Sequence, residues 1–122
     1  MVFISRLMQL QKPPAAGWIL RILSGSLAGR SIQLDRLTGF KKSGMIKVGR
    51  DPEWADIPIV DAGVSRQHFQ IRLARRGLEL IDMKSRNGTA VGGHQLPPHR
   101  PVNIHAKTKI KVGPVWMMLE PA

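Results

Sequence analysis

Between Trp18 and Leu119 the apolar residues fall at every second position over short stretches, and turn-forming residues separate the stretches. Phe69, Ile71 and Leu73 alternating with Gln70 and Arg72 show the pattern most clearly. Successive side chains of a strand point to opposite faces, so a period of two marks a strand with one buried face. The same reading predicts strands at Trp18–Leu23, Arg30–Leu34, Met45–Val48, Ile57–Ile59, Leu78–Asp82, Ala90–Val91, Val102–Ile104, Lys109–Val112 and Val115–Leu119. The 69–73 strand is taken to start at His68. Pro58 cannot donate to a ladder, which predicts a sheet edge or a strand entry there. Ser24-Gly25 and Arg75-Arg76-Gly77 predict turns. Roughly ten short strands with frequent turns indicate a sandwich or a barrel. No helical stretch stands out after residue 17, and there is no internal repeat.

Residues 1–17 follow a different pattern. Met1–Leu10 is mildly amphipathic, with Phe3, Leu7 and Leu10 at helical spacing, and Lys12-Pro13-Pro14-Ala15-Ala16-Gly17 reads as a linker. Arg6 interrupts the apolar run too early for the core of a signal peptide. The expected organisation is a flexible or loosely docked tail over 1–17 and one domain over 18–122.

Composition bounds this picture. The chain has 122 residues, enough for one domain, and 43% of them are apolar, enough for one core. Cysteine is absent, so no disulfide staples the fold. No apolar run approaches the ~20 residues of a membrane span. Net charge is +11, unevenly spread. Residues 49–93 hold seven Lys/Arg and six Asp/Glu, a balance of +1, so +10 lies in the remainder. A basic surface attracts anions of any kind and names no single partner.

Three polar islands interrupt the strand pattern: Gly49-Arg50, Ser65-Arg66-Gln67-His68 and Ser85-Arg86-Asn87-Gly88-Thr89. They supply three cationic forks, three hydroxyls and two amides, an inventory suited to cradling a phosphate. A guanidinium offers a bidentate donor pair to phosphate oxygens. An amide side chain has one acceptor and two donors, so it can bind an extended main chain of any sequence.

Gly-Arg, then Ser-x-x-His, then Asn-Gly, in this order and at these separations, resembles the forkhead-associated (FHA) domain, a phosphothreonine-reading family. Leu20–Leu34 resembles the family's first hairpin and Val112-Gly113 its closing strand, so the likeness covers about 105 residues from Trp18 to the C-terminus. The resemblance implies an all-β fold: a β-sandwich of two mostly antiparallel sheets with about 10–11 short strands. It implies phosphate binding by Arg50, Ser65 and Arg66, and peptide binding by Arg86 and Asn87. Arg86 stands where the family often has Thr or another polar group. Gly49, His68, Asp82 and Gly88 are implied as scaffold, with the His68 ring holding the Arg50 and Ser65 loops together. Gly49 is expected to let the chain bend as its strand ends. Gly92-Gly93 replaces the family's usual Asn-Gly, which predicts a looser hairpin.

The implied function is an adaptor in Ser/Thr kinase signalling. Its partner is a phosphothreonine-containing protein or peptide, its location cytoplasmic, and it needs no cofactor. Enzyme readings find little footing. Ser65, His68 and Asp82 are the residue types of a hydrolytic triad. An extended chain, however, would turn Ser65 and His68 to opposite faces, and no Gly-x-Ser-x-Gly elbow is present. His68, His94, His99 and His105 have no metal-ligand spacing. Two rival binding functions remain. A phosphate-independent interaction module on the same fold is argued against by Arg50, Ser65 and Asn87. A nucleic-acid binder is argued against by Trp18, Trp54 and Trp116, which are too scattered to form a stacking platform.

Overall fold

The computed structural model describes residues 17–74, 77–104 and 107–122. The expected tail therefore lies outside the described residues except for Gly17, as do Arg75, Arg76 and His105. Eleven strands run in chain order: β1 Trp18–Ile22, β2 Ser31–Gln33, β3 Met45–Gly49, β4 Ile57–Pro58, β5 Phe69–Ala74, β6 Gly77–Asp82, β7 Thr89–Val91, β8 His94–Gln95, β9 Val102–Ile104, β10 Thr108–Val112 and β11 Val115–Pro121. They form a six-stranded sheet, β2-β1-β11-β10-β7-β8, and a five-stranded sheet, β4-β3-β5-β6-β9. The expected sandwich is the observed fold.

Alternation explains the layering. In β11, Val115, Met117 and Leu119 are buried, and Trp116, Met118 and Glu120 alternate with them and are more exposed. Ile110 and Val112 of β10 are buried and alternate with exposed Lys109 and Lys111. The second sheet supplies Ile46, Val48, Phe69, Ile71, Leu78 and Leu80 to the same core. A side chain of this size contributes about 1.5–3 kcal/mol when fully buried. A slip of one residue in any of these strands would turn its apolar set to water, so the register is firmly set.

Neighbouring strands run antiparallel with one exception: β4 pairs parallel with β3, with Gly49 opposite Pro58. β4 is an edge strand, the place its proline predicts. The Gly92-Gly93 turn is tighter than expected. Val91 pairs with His94, and both glycines have positive φ, 57° and 84°. Two positive-φ residues are what a two-residue hairpin loop needs to match the twist of its strands.

Two features depart from the sequence pattern. Leu34–Arg36 forms a 3-10 turn, and Thr38–Ser43 forms a short helix, α1, between β2 and β3. Leu34 is fully buried, and the Ser43 hydroxyl donates to the Gly39 carbonyl at 2.9 Å. Residues 65–68 are not part of a strand either: the chain bends at Arg66 and Gln67, and β5 begins at Phe69.

Candidate functional site

The three polar islands become three neighbouring loops at one end of the sandwich. Arg50 follows β3, Ser65 and Arg66 lie between β4 and β5, and Arg86 and Asn87 lie between β6 and β7. An open cleft of about 840 Å³ separates them, lined by Arg50, Ala62, Gly63, Val64, Ser65, Arg66, Arg86 and Asn87. All five side chains expected to contact ligand therefore line one concavity.

Backbone groups orient three of them. Arg50 Nε donates to the Val64 carbonyl at 3.0 Å, which anchors the guanidinium and leaves its two terminal nitrogens for other partners. The Arg50 backbone N–H donates to the Ser65 carbonyl at 2.9 Å, and that of Asp51 to the Arg66 carbonyl at 3.2 Å. Ser65 Oγ accepts the Arg86 backbone N–H at 2.9 Å. The hydroxyl proton can then turn to an acceptor in the cleft. Asn87 Nδ2 donates to the Gly63 carbonyl at 2.9 Å, leaving its second amide hydrogen and its Oδ1 for other partners.

Beneath the cleft lies a buried polar layer. His68 is fully buried, and its ring bridges two loops: the Ser65 backbone N–H donates to Nδ1 at 3.0 Å, and Nε2 lies 2.9 Å from the Gly88 carbonyl. With Nδ1 accepting, the proton sits on Nε2 and donates to Gly88. The ring thus ties the Ser65 loop to the Asn87-Gly88 loop, and Arg50 joins through backbone bonds to the Ser65 loop. Burial lowers the His68 pKa below its ordinary value, against opposing contributions from the Gly88 carbonyl and Asp82. Protonating Nδ1 would also remove the acceptor that holds the Ser65 N–H.

Asp82, buried at the end of β6, organises the third loop. Its carboxylate accepts the Ser85 hydroxyl at 2.5 Å, the Ser85 N–H at 3.1 Å and the Thr89 hydroxyl at 2.7 Å. Thr89 is fully buried as well. Sequence reasoning did not single out Ser85 or Thr89 as supports, although Ser at three and Thr at seven residues beyond a strand-end Asp is the signal that would have found them. Asp61 performs a similar task nearby: its carboxylate accepts the Ser26 N–H and hydroxyl, which fixes the approach to Ala62–Ser65.

Two glycines serve this frame in different ways. Gly49 does not have positive φ, so bending freedom is not what it supplies. A Cβ there would overlap the Arg66 carbonyl oxygen and lie 3.0 Å from the His68 nitrogen. Gly49 is required because two backbones pass too closely for any side chain. Gly88 has φ of 83°, a region side-chain-bearing residues rarely enter. That turn aims its carbonyl at both His68 Nε2 and the Gly113 N–H, the latter at 3.1 Å.

The triad residue types are not arranged as a relay. The His68 ring meets the Ser65 backbone and not its hydroxyl, and Asp82 is engaged by Ser85 and Thr89. The extended geometry expected at 65–68 does not hold, because the chain bends at Arg66 and Gln67. Among the described residues no group of three His, Cys, Asp or Glu is placed to hold a metal ion.

Comparisons with known proteins converge on this cleft-bearing fold. The chain is 34% identical over 74 residues to an FHA domain-containing protein of Arabidopsis thaliana, covering 61% of this chain and 19% of that protein. It is 38% identical over 79 residues to a protein of Corynebacterium diphtheriae named oxoglutarate dehydrogenase inhibitor, covering 65% of this chain and 50% of that one. The matches thus span half or less of either relative's length. Among solved structures, an FHA domain from Chlamydia trachomatis superposes with a TM-score of 0.72 at 27% identity, covering 87% of this chain and 98% of that one. The N-terminal FHA domain of yeast Rad53p, in complex with a phosphothreonine peptide, shares the fold with a TM-score of 0.69 at 22% identity, covering 87% and 94%. The FHA domain family model matches residues 46–113, from the second residue of β3 to the turn after β10, a span that holds all three cleft loops. The chain belongs to the FHA domain family.

Proposed function

We propose that this chain docks a phosphothreonine of a partner protein into the cleft and acts as an adaptor in Ser/Thr kinase signalling. FHA domains are interaction modules, and catalysis is not part of this reading. Arg50 is the main phosphate ligand, Ser65 adds a hydroxyl donor, and Arg66 adds a second charge. Asn87 holds the peptide main chain, and Arg86 contacts the peptide beside it. A cytoplasmic location goes with a partner that Ser/Thr kinases reach.

One observation carries the reading. Arg50 Nε is bound to Val64 and Ser65 Oγ already accepts a backbone N–H, so the donors left over on both side chains open into the same cleft. Charge-assisted bonds from such fixed donors are roughly twice as strong as neutral ones. The name of the Corynebacterium relative suggests one consequence of docking, inhibition of the bound partner, which would need no chemistry from the domain. No helix among the described residues is long and apolar enough to cross a membrane.

The test is a screen of matched peptide libraries, phosphorylated and unphosphorylated, against the purified chain. Selection of phosphothreonine peptides is expected, and their flanking residues would identify the partner class. Retention of the same sequences from both libraries would favour a phosphate-independent module on the same fold.

A further inference from the structure

The outer face of the six-stranded sheet holds a second recess. Leu23 and Trp116 are each 42% exposed, two of the three large apolar side chains left that open among the described residues, and they meet in one slot. Ser24 and Lys109 complete its lining, and its volume is about 280 Å³. Small-molecule sites run to about 300–1,000 Å³, so this slot has room for one large side chain. Its walls are fixed. The Leu23 N–H donates to the Trp116 carbonyl at 2.8 Å, and the Trp116 N–H donates to the Ser24 hydroxyl at 2.8 Å. The turn after β1 is thereby clamped to the start of β11. Lys111, opposite Trp116 in the β10–β11 pair, sets its Nζ over the indole at 5.7 Å from the ring centre, which steadies the ring. Lys109 lies two residues along β10, on the same face of the sheet.

Charge narrows the occupant. Lys109 and Lys111 are exposed, and the ion pairs among the described residues are Arg21–Glu120 and Arg72–Glu79, so no carboxylate of those residues answers either ammonium. A second copy packed through this face would bring the same lysines against them, since a two-fold interface repeats one patch on both sides. Residues 1–16 carry Arg6 and Lys12 and no Asp or Glu, so that segment would add positive charge. A bilayer takes protruding apolar groups, and here they line a recess. What fits is apolar at its tip and acidic around it. Trp is also among the residues that most often carry the energy of a protein interface. We propose that the slot docks an acidic segment of a partner protein, which inserts one leucine or aromatic side chain between Leu23 and Trp116 and sets carboxylates against Lys109 and Lys111. The slot shares no lining residue with the cleft, so this docking needs no phosphate and stands apart from the phosphothreonine reading.

The test is an NMR titration of the nitrogen-labelled full chain with short unphosphorylated peptides. Each has a central Leu, Phe or Trp flanked on both sides by Asp-Glu, Gly-Ser or Lys-Lys, and a central-Ala peptide with acidic flanks is the control. Acidic peptides with the large central residue are expected to shift the Trp116 indole N–H and the Leu23, Ser24 and Lys109 amides. Neutral flanks should bind about 3–10-fold more weakly, and high salt should remove most of that difference. Trp116→Ala is expected to weaken binding about tenfold or more. Lys109→Glu combined with Lys111→Glu should reverse the order, so that Lys-flanked peptides bind and acidic ones do not. A merely structural role for the lysines would not produce that reversal, and the charge reversal decides alone if Trp116→Ala fails to fold. Both variants should bind a phosphothreonine peptide as the wild type does. No shift at these groups at millimolar peptide, equal shifts from the central-Ala control, or an unchanged flank order in the reversed variant would overturn the proposal. Two further arms test the other occupants. Binding to phosphatidylserine-containing vesicles without any peptide shift would assign the face to a membrane, and self-association lost in Trp116→Ala would assign it to a second copy. Either result would overturn the proposal.

Discussion

The floor and the rim of the cleft are built on opposite plans. On the floor, His68, Asp82 and Thr89 are buried and hydrogen-bonded, and no buried side-chain nitrogen or oxygen among the described residues lacks a partner. On the rim, Arg50, Arg66, Arg86 and Asn87 are exposed and keep donors unused. The floor cannot be left half-satisfied, because an unpaired polar group in a low-dielectric interior is costly. On the proposed function the rim must be left unsatisfied, because its donors would serve a ligand. Keeping the two apart lets the domain hold a rigid site without closing it. Loops carried by a strand scaffold are the usual place for such a division.

Mutations on either side should therefore break different properties. The largest effect expected is on binding. Arg50→Ala removes charge-assisted bonds to phosphate and should weaken phosphopeptide binding by roughly 2–5 kcal/mol, with the melting temperature little changed because the side chain lies on the rim and gives up only its bond to Val64. Calorimetric titration and thermal melting of the same sample check both halves. Unaltered affinity in a folded variant would remove Arg50 from the site.

Asp82→Ala tests the floor. It strands the Ser85 and Thr89 donors, and a loss of about 3 kcal/mol in stability, on the order of 10 °C, is expected. Binding would weaken only through the loosened Ser85–Thr89 loop. A normal melt with abolished binding would move Asp82 from the floor to the rim.

His68 gives a pH signature. Its folded-state pKa is lowered by burial, so the unfolded chain binds the proton more readily. Stability is then level above the unfolded value, near pH 6.5. It falls as pH drops below that, with a slope of at most about 1.4 kcal/mol per pH unit from this one group. The decline stops once pH passes the lowered folded-state value. His68→Ala should cost roughly 1–3 kcal/mol at neutral pH and flatten the curve between neutral and mildly acid conditions. Denaturant melts across that range, wild type beside variant, provide the comparison. Parallel curves would mean that the ring is not held neutral.

Much of the frame was legible in the sequence. Phe69, Ile71 and Leu73, or Ile110 and Val112, alternate because one face of each strand is core. β8 was not legible, since its two residues, His94 and Gln95, are both exposed and two residues carry no period. α1 was hidden for another reason. Thr38-Gly39-Phe40-Lys41-Lys42-Ser43 contains Gly39, a poor helix former, and is too short to be stable from propensity alone. A Cβ at Gly39 would lie 2.8 Å from the Asp56 carboxylate, so tertiary fit constrains that position. At the site, side-chain types were legible and their partners were not. Arg50 leans on the Val64 carbonyl and Asn87 on the Gly63 carbonyl, and a backbone acceptor leaves no mark on residue identity.

The smallest expected effect concerns the ligand. Phosphothreonine and phosphoserine carry the same charge, so the rim arginines cannot tell them apart. Burying the extra methyl is worth roughly 0.8 kcal/mol, about fourfold, and the stiffer χ1 of threonine adds to that. Fluorescence anisotropy on two versions of one peptide measures the ratio. Equal affinities would place the methyl in solvent.

The central claim is that the rim reads a specific phosphate and that the +11 net charge alone does not account for binding. It is tested most directly by titrating the chain with one phosphothreonine peptide, its unphosphorylated twin and a short DNA duplex across a salt series. The account predicts binding of the phosphopeptide alone at physiological salt, with duplex binding collapsing steeply as counterions compete. Tight, salt-resistant duplex binding beside equal affinity for the two peptides would contradict it.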